Sequence, residues 1–315
     1  MKILFIGNTR LGDAILSTSI LNYYSDKEAY ITVVCSPLSE NIYKNFPYVD
    51  NIIAVKKKKR GKHWITVYRA LERINWDLII DLRNTIITRI IRKKKIIRLT
   101  AFNKSEHRVQ SLCKLLDIDY IIPPSIPLNK QVFNKALKVI SDKNIKLPIL
   151  AIAPITNWSR KNWPIDNFIT LINELVKETK NKVNFKSVIL LGSNSEREQS
   201  EYIKSRIKNV LALNLCGCFE INMLLALLKQ CKLFIGNDSG LMHLAAAAQI
   251  KTLGLFGPSK EINYRPWGKE SFFLRTEKKY EDLVNIKGYS RFDKSSLMES
   301  LTVDKVLNKC IKILD

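Results

Sequence analysis

Four consecutive residues, Asn237, Asp238, Ser239 and Gly240, are the first place in this chain where residue types and spacing point to chemistry. An apolar run at residues 233–236 leads into them, and residues 241–248, rich in strong helix formers, lead out. A second apolar run at residues 253–256 ends at Gly257 and Pro258. That order reads as strand, turn, helix, strand, one βαβ unit of a parallel sheet. Asp238 and Ser239 are N-cap types, and a glycine at 240 permits close approach to the backbone. Unpaired helical amides and the positive end of the helix dipole face such a turn, so an anion, a phosphate first of all, is the natural guest. The same residues also suit an ordinary N-cap on a buried helix, and the local pattern does not separate the two.

Two more polar turns follow predicted strands. Residues 2–7 form an apolar strand, and Asp13 lies just past a turn with glycines at 7 and 12, at the start of a helix expected over residues 13–24. The opening is Rossmann-like, but GNTRLG lacks the GxGxxG spacing of a dinucleotide site. Further strands are expected at residues 31–35, 52–55, 78–82 and 96–99, with helical patterns between most of them. A polar, proline-ended stretch at residues 141–148 reads as an interdomain linker, which divides the chain into residues 1–147 and 148–315. The second half restarts the rhythm with a strand at residues 149–153, then a long polar turn holding Lys161, then Pro164 at the start of a helix. Strand 188–192, helix 222–229 and an amphipathic terminal helix at residues 302–314 complete it. Open α/β sheets bind ligands at the carboxyl ends of their strands, so the turns holding Asp13, Lys161 and Asp238 are expected to line one cleft between two α/β domains.

With 315 residues, 46% hydrophobic and 26% charged, the chain has the composition of a soluble globular protein with room for two cores. No apolar run approaches the roughly 20 residues of a membrane-spanning helix. The N-terminal apolar run breaks at Gly7 and Asn8 and is followed by Arg10 and Asp13, which is no signal peptide, so a cytoplasmic location is expected. The six cysteines, at 35, 113, 216, 218, 231 and 310, lack metal-site spacing and read as reduced, buried thiols. The net charge of +23 is concentrated early: residues 1–147 carry 27 Lys plus Arg against 12 Asp plus Glu, the remainder 25 against 17. The runs at residues 56–60 and 92–95 are either solvated loops or a surface for an anionic partner.

Three segments, LGDAILSTSIL near the N-terminus, SRKNWPIDNFITLI in the middle, and GNDSGLMHLAAAAQIKTLGLFGPS followed by RPWG, together resemble glycosyltransferase family 9, the ADP-heptose lipopolysaccharide heptosyltransferases. The resemblance implies a GT-B fold, two Rossmann-like domains facing across a cleft, with the acceptor on the N-terminal domain and the nucleotide sugar on the C-terminal one. It implies inverting transfer with no metal and no cofactor, an ADP-sugar donor, and an anionic lipid-linked saccharide acceptor at the inner membrane surface. Carried over by residue, Asp13 is the general base and Lys161 contacts the donor diphosphate. Ser239, with the amides of Gly240 and Leu241, holds the phosphates; Asp238 binds sugar hydroxyls, and His243 sits on the first helical turn beneath. Glu196 takes the ribose hydroxyls, with Glu198 a close competitor. The chain departs from the family at Ser239, where threonine is common, and at Pro154, Ile155 and Thr156, where glycine is usual.

Two other readings stay open. One is a GT-B transferase using another nucleotide sugar. The other is a basic nucleic-acid-binding protein, against which the lysine runs lack interleaved aromatics, so no specific nucleic acid partner is expected. The two basic runs are expected to act together as a peripheral attachment to an anionic membrane surface.

Overall fold

The computed structural model describes residues 1–285, 289–290 and 292–315. They divide into two compact units, Met1–Pro127 and Leu128–Asp315. In the first unit β1 (Lys2–Ile6), β2 (Tyr30–Cys35), β3 (Val49–Ala54), β4 (Trp76–Asp81) and β5 (Lys93–Arg98) alternate with α1 (Leu11–Leu16), α2 (Thr18–Tyr23), α3 (Glu40–Tyr43), α4 (His63–Leu71) and α5 (Ile87–Ile90), and α6 (Arg108–Leu115) follows. The second unit begins with α7 (Lys130–Asp142). It continues as β6 (Ile149–Ala153), α8 (Ile165–Glu178), β7 (Ser187–Leu190), α9 (Arg197–Lys204), β8 (Leu211–Asn214) and α10 (Ile221–Leu228). Then come β9 (Cys231–Asn237), α11 (Gly240–Ala247), β10 (Lys251–Phe256), α12 (Glu261–Tyr264), β11 (Ser271–Arg275), α13 (Tyr280–Val284) and α14 (Val303–Leu314).

Each unit is organised on one parallel sheet, in the order β3-β2-β1-β4-β5 in the first and β11-β10-β9-β6-β7-β8 in the second. Central strands such as β1 and β6 are buried along nearly their whole length, because helices cover both faces and an apolar run is the only sequence such a strand tolerates. In the second unit α8 and α14 pack with the sheet into one core around Trp163, Phe168, Leu190, Ile235, Leu255 and Val306. The terminal helix therefore belongs to this unit. Trp163 is fully buried, meets Phe168 edge to face at 4.9 Å, and donates from Nε1 to the Leu301 carbonyl at 2.7 Å.

The structure differs from the sequence reading at several points, each with a physical cause. The compact units part at Pro127, twenty residues before the expected division at residue 147, because α7 buries Ala136 against Ala226 and Leu227 of α10. The helix expected over residues 13–24 is two helices, broken at Ser17. Ser17, Thr18 and Ser19 turn their hydroxyls back onto the carbonyls of Ala14, Ile15 and Leu16 at 2.8, 2.7 and 3.1 Å, a pattern that bends helices. The short edge strands β8 and β11, only partly buried and with apolar runs of a few residues, lie outside the expected strands. Cys218 is exposed, unlike the other five cysteines.

The basic runs separate. Residues 56–60 are exposed and follow the carboxyl end of β3, whereas Arg92 precedes β5 and Lys93, Lys94 and Lys95 begin it, at the opposite, amino end of the same sheet. β5 is an edge strand, and lysines there hinder pairing with a foreign strand. Lys94 is paired with Asp77 at 2.7 Å, and Lys93 donates to the carbonyls of Arg89 and Ile91. The two runs do not form one surface.

Candidate functional site

In the second sheet the chain leaves β6 toward β7 on one side, while β9 lies on the other. The carboxyl ends of β6 and β9 thus form a topological switch point, where the connections diverge and leave a crevice. Lys161 arrives there on the loop after β6, and Asp238 is the residue directly after β9; the two form an ion pair. Asn237, fully buried at the end of β9, brackets that loop at both ends. Its Nδ2 donates to the Pro154 carbonyl at 2.6 Å and its Oδ1 accepts from the Trp163 amide at 3.1 Å. Inside the loop, Asn162 Oδ1 accepts from the amide and the hydroxyl of Thr156, both at 2.9 Å, so the turn that lacks the expected glycines is cross-tied by side chains. Behind it, Arg160 is buried against Asp293 at 2.6 Å and the Ser290 carbonyl at 3.2 Å, and Ser296 donates to the Asn162 carbonyl at 2.6 Å.

Asp238 is 8% exposed and Lys161 22%. Burial pushes the Asp238 carboxyl up, but the Lys161 ammonium paired with it outweighs that and holds it below the usual carboxylate range. Asp238 is therefore an anion at neutral pH. His243 lies in the first turn of α11, buried, with no hydrogen-bond partner for Nδ1 among the described residues. Burial, against the pull of Asp238 and with the push of Lys161, brings its pKa down to about 4, so it is neutral at pH 7. Ser239 is the N-cap of α11, its Oγ accepting from the Met242 amide at 3.4 Å. A hydroxyl that accepts in this way still has its own proton to donate, so capping and ligand binding are compatible. The amides of Gly240 and Leu241 open the helix beside it, where no intrahelical acceptor exists for them.

Glu196 stands at the carboxyl end of β7, two strands from β9, hence on the order of 10 Å along the same edge. It is half-buried and its Oε2 accepts from the Ser193 amide at 2.7 Å; burial raises its pKa, with the Ser193 amide and hydroxyl opposing. Glu198 is exposed on α9. The structure thus brings Lys161, Asp238, Ser239, Gly240, Leu241, His243 and Glu196 to one sheet edge. Asp13 belongs to the first unit, half-buried in the first turn of α1 after β1. Beside it in that sheet, Asp81 ends β4, with Ile6 and Asp81 paired in register. The sequence reading passed over the roles of Asn237 and Asp81. Each is a polar residue directly after an apolar run, residues 233–236 and 78–80, and that is the signal that marks them.

The pKa of His243 makes a stability prediction. Between about pH 6.5 and pH 4 the unfolded chain protonates this histidine and the folded chain does not, so stability falls as the pH is lowered through that window. The loss is on the order of 3 kcal/mol. Urea midpoints measured across it are expected to fall more steeply with acid for the natural chain than for His243→Gln; equal slopes exclude a buried neutral imidazole.

A profile of glycosyltransferase family 9 (heptosyltransferase) matches residues 101–290. The chain is 28% identical over 286 residues to lipooligosaccharide heptosyltransferase 2 of Campylobacter jejuni serotype O:2, covering 86% of this chain and 85% of the relative. It is 24% identical over 241 residues to lipopolysaccharide heptosyltransferase 1 of Pseudomonas aeruginosa, covering 69% and 64%. Among solved structures, a family 9 glycosyl transferase from Veillonella parvula superposes with a TM-score of 0.84 at 18% identity, covering 99% of this chain and 97% of that one. The E. coli ADP-heptose lps heptosyltransferase II superposes at 0.76, also at 18% identity, over 100% and 98%. Paired parallel sheets of the GT-B kind, and a profile match that takes in Lys161 and the Asp238 turn, identify the chain as an enzyme belonging to glycosyltransferase family 9, the heptosyltransferases.

Proposed function

We propose that the chain is an inverting, metal-independent transferase that moves heptose from ADP-heptose to the inner core of a lipopolysaccharide, either Kdo-lipid A or a heptosyl acceptor. The observation that carries the proposal is the Lys161 and Asp238 pair at the switch point of the second sheet, beside the α11 N-terminus. The curated relatives act in lipopolysaccharide or lipooligosaccharide assembly by name, and one structural neighbour is named for ADP-heptose, which supports the donor and the acceptor class.

In the proposed reaction the donor lies on the second unit and the acceptor on the first. The Asp13 carboxylate takes the proton of an acceptor hydroxyl as its oxygen attacks the anomeric carbon. The bond from that carbon to the diphosphate oxygen breaks, and the electron pair leaves with the diphosphate. Its growing charge is met by the Lys161 ammonium, which has donors beyond the one given to Asp238, and by the amides of Gly240 and Leu241. These supply the positive charge that other transferases take from a metal ion. A single displacement inverts the anomeric centre. Asp238 accepts from sugar hydroxyls, and Glu196, on the same edge, accepts from the ribose.

The acceptor is a lipid-linked anion, and of the two basic runs only residues 56–60 share the carboxyl edge of the first sheet with Asp13. Exposed lysines near an anionic membrane contribute about 1 kcal/mol each. We assign peripheral association with the inner membrane surface to this run alone.

Lys161→Ala is expected to weaken ADP binding by about 1 to 3 kcal/mol in calorimetry, and unchanged affinity removes the diphosphate assignment. The same change leaves Asp238 buried without its cation, so the urea midpoint is read in parallel. Asp13→Asn is expected to slow turnover roughly 100-fold with ADP affinity retained, and normal turnover reduces Asp13 to a residue of the helix start. Replacing Lys56, Lys57, Lys58 and Lys59 with Ser is expected to abolish salt-sensitive sedimentation with anionic vesicles and to leave ADP affinity unchanged. Sedimentation that survives the change, or is lost equally on replacing Lys93, Lys94 and Lys95, contradicts the assignment to residues 56–60.

A further inference from the structure

Asp81 closes β4 fully buried and is saturated by its own loop. It accepts from the Arg83 amide at 2.9 Å, the Thr85 amide at 2.7 Å, and the hydroxyls of Thr85 and Thr88, both at 2.8 Å. These ties fix the loop after β4 at the switch point of the first sheet, since β1 has β2 on one side and β4 on the other. Two guanidiniums flank the carboxylate. Arg98 is its register partner on β5 and donates from Nη2 to the Thr88 hydroxyl at 3.3 Å, while its Nε is buried with no hydrogen-bond partner among the described residues. Arg83 is half-buried, its guanidinium lies 4.9 Å from the Trp64 ring of α4, and it makes no side-chain hydrogen bond among the described residues. Burial lowers its pKa while the Asp81 charge pulls it up, the mark of a cation held partly out of water.

The local balance is two cations to one anion, and the anion's lone pairs are already engaged by neutral donors. A guanidinium fork presents paired donors that match a phosphate or carboxylate, and a desolvated one gains most from such a partner. The Trp64 ring, 4.9 Å from the Arg83 guanidinium, favours a cation in that place. We propose that Arg83 and Arg98 form an anion-binding site at the carboxyl edge of the first sheet, for a phosphate or carboxylate borne by a saccharide, and that Asp81 is the positioning residue that sets its loop. That the saccharide is the acceptor rests on the function proposed above; that the site binds an oxyanion does not.

The test uses the full chain saturated with ADP, so that the phosphate subsite at α11 is filled. Inorganic phosphate, glucose 6-phosphate and glucuronate are titrated in turn, and binding is followed by NMR shifts of the Trp64 indole and the arginine side chains. The natural chain is expected to bind at least one of them. Arg83→Gln and Arg98→Gln are each expected to weaken that binding tenfold or more, with ADP affinity and the urea midpoint unchanged, and Arg83→Lys to recover only part of it. A preference for the two phosphates identifies a phosphate site, and a preference for glucuronate a carboxylate site. Undiminished binding in Arg83→Gln, or no binding by the natural chain, overturns the site. If the natural chain fails to bind ADP while the arginine-dependent binding persists, it is the proposed donor reading that fails and the anion site that stands.

Discussion

The candidate site of the second unit depends on one fully buried amide side chain. Asn237 joins the start and end of the loop carrying Lys161, and its bonds to Pro154 and Trp163 span 83 and 74 residues of sequence. A polar side chain in that position costs folding energy unless every bond is made, and here both ends of the amide are matched to backbone groups that would otherwise be orphaned beside it. The loop cannot drift without leaving buried groups unpaired. That holds Lys161 against Asp238, so the adjacency of Asn237 and Asp238 in sequence puts the clamp and the clamped carboxylate on one strand end.

Burial of the Lys161 and Asp238 pair sharpens the consequence. An ion pair largely withdrawn from water is seldom a net source of stability, but removing either partner strands the other. Such a pair is well suited to a site where an incoming anion competes for the lysine: the ammonium is oriented, only partly hydrated, and retains donors. His243 contributes by staying neutral. A protonated imidazole beneath Asp238 would compete with Lys161 for the carboxylate, and burial prevents it at neutral pH.

Much of this architecture was legible because it is local. The βαβ unit around residues 231–259 shows as apolar runs with a cap between them, since a strand covered on both faces has no alternative composition. What depended on distant partners was not legible. The lysines that begin β5 look like a loop because an edge strand answers to only one neighbour, and the place where the chain divides could not be read at residues 128–142 without knowing that α10 offers Ala226 and Leu227 to Ala136. Spacing leaves Glu196 and Glu198 alike, whereas the fold sets Glu196 half-buried in the turn after β7 and Glu198 exposed on α9. Asn237 was named in the turn, yet its work lies with residues more than seventy positions away.

The two sheets place carboxylates at the same topological position and surround them differently. At the end of β9 the carboxylate is matched to one lysine, which keeps the edge near neutrality. At the end of β4 the carboxylate is matched to amides and hydroxyls, neutral donors that satisfy its geometry without cancelling its neighbours' charge, and the arginines beside it remain in surplus. A buried aspartate of the second kind acts as scaffold, ordering the loop that carries Arg83 and the helix turn that meets Arg98. The difference follows from residue type: lysine's compact ammonium answers a carboxylate as a point charge, whereas arginine's planar fork presents paired donors that suit an oxyanion.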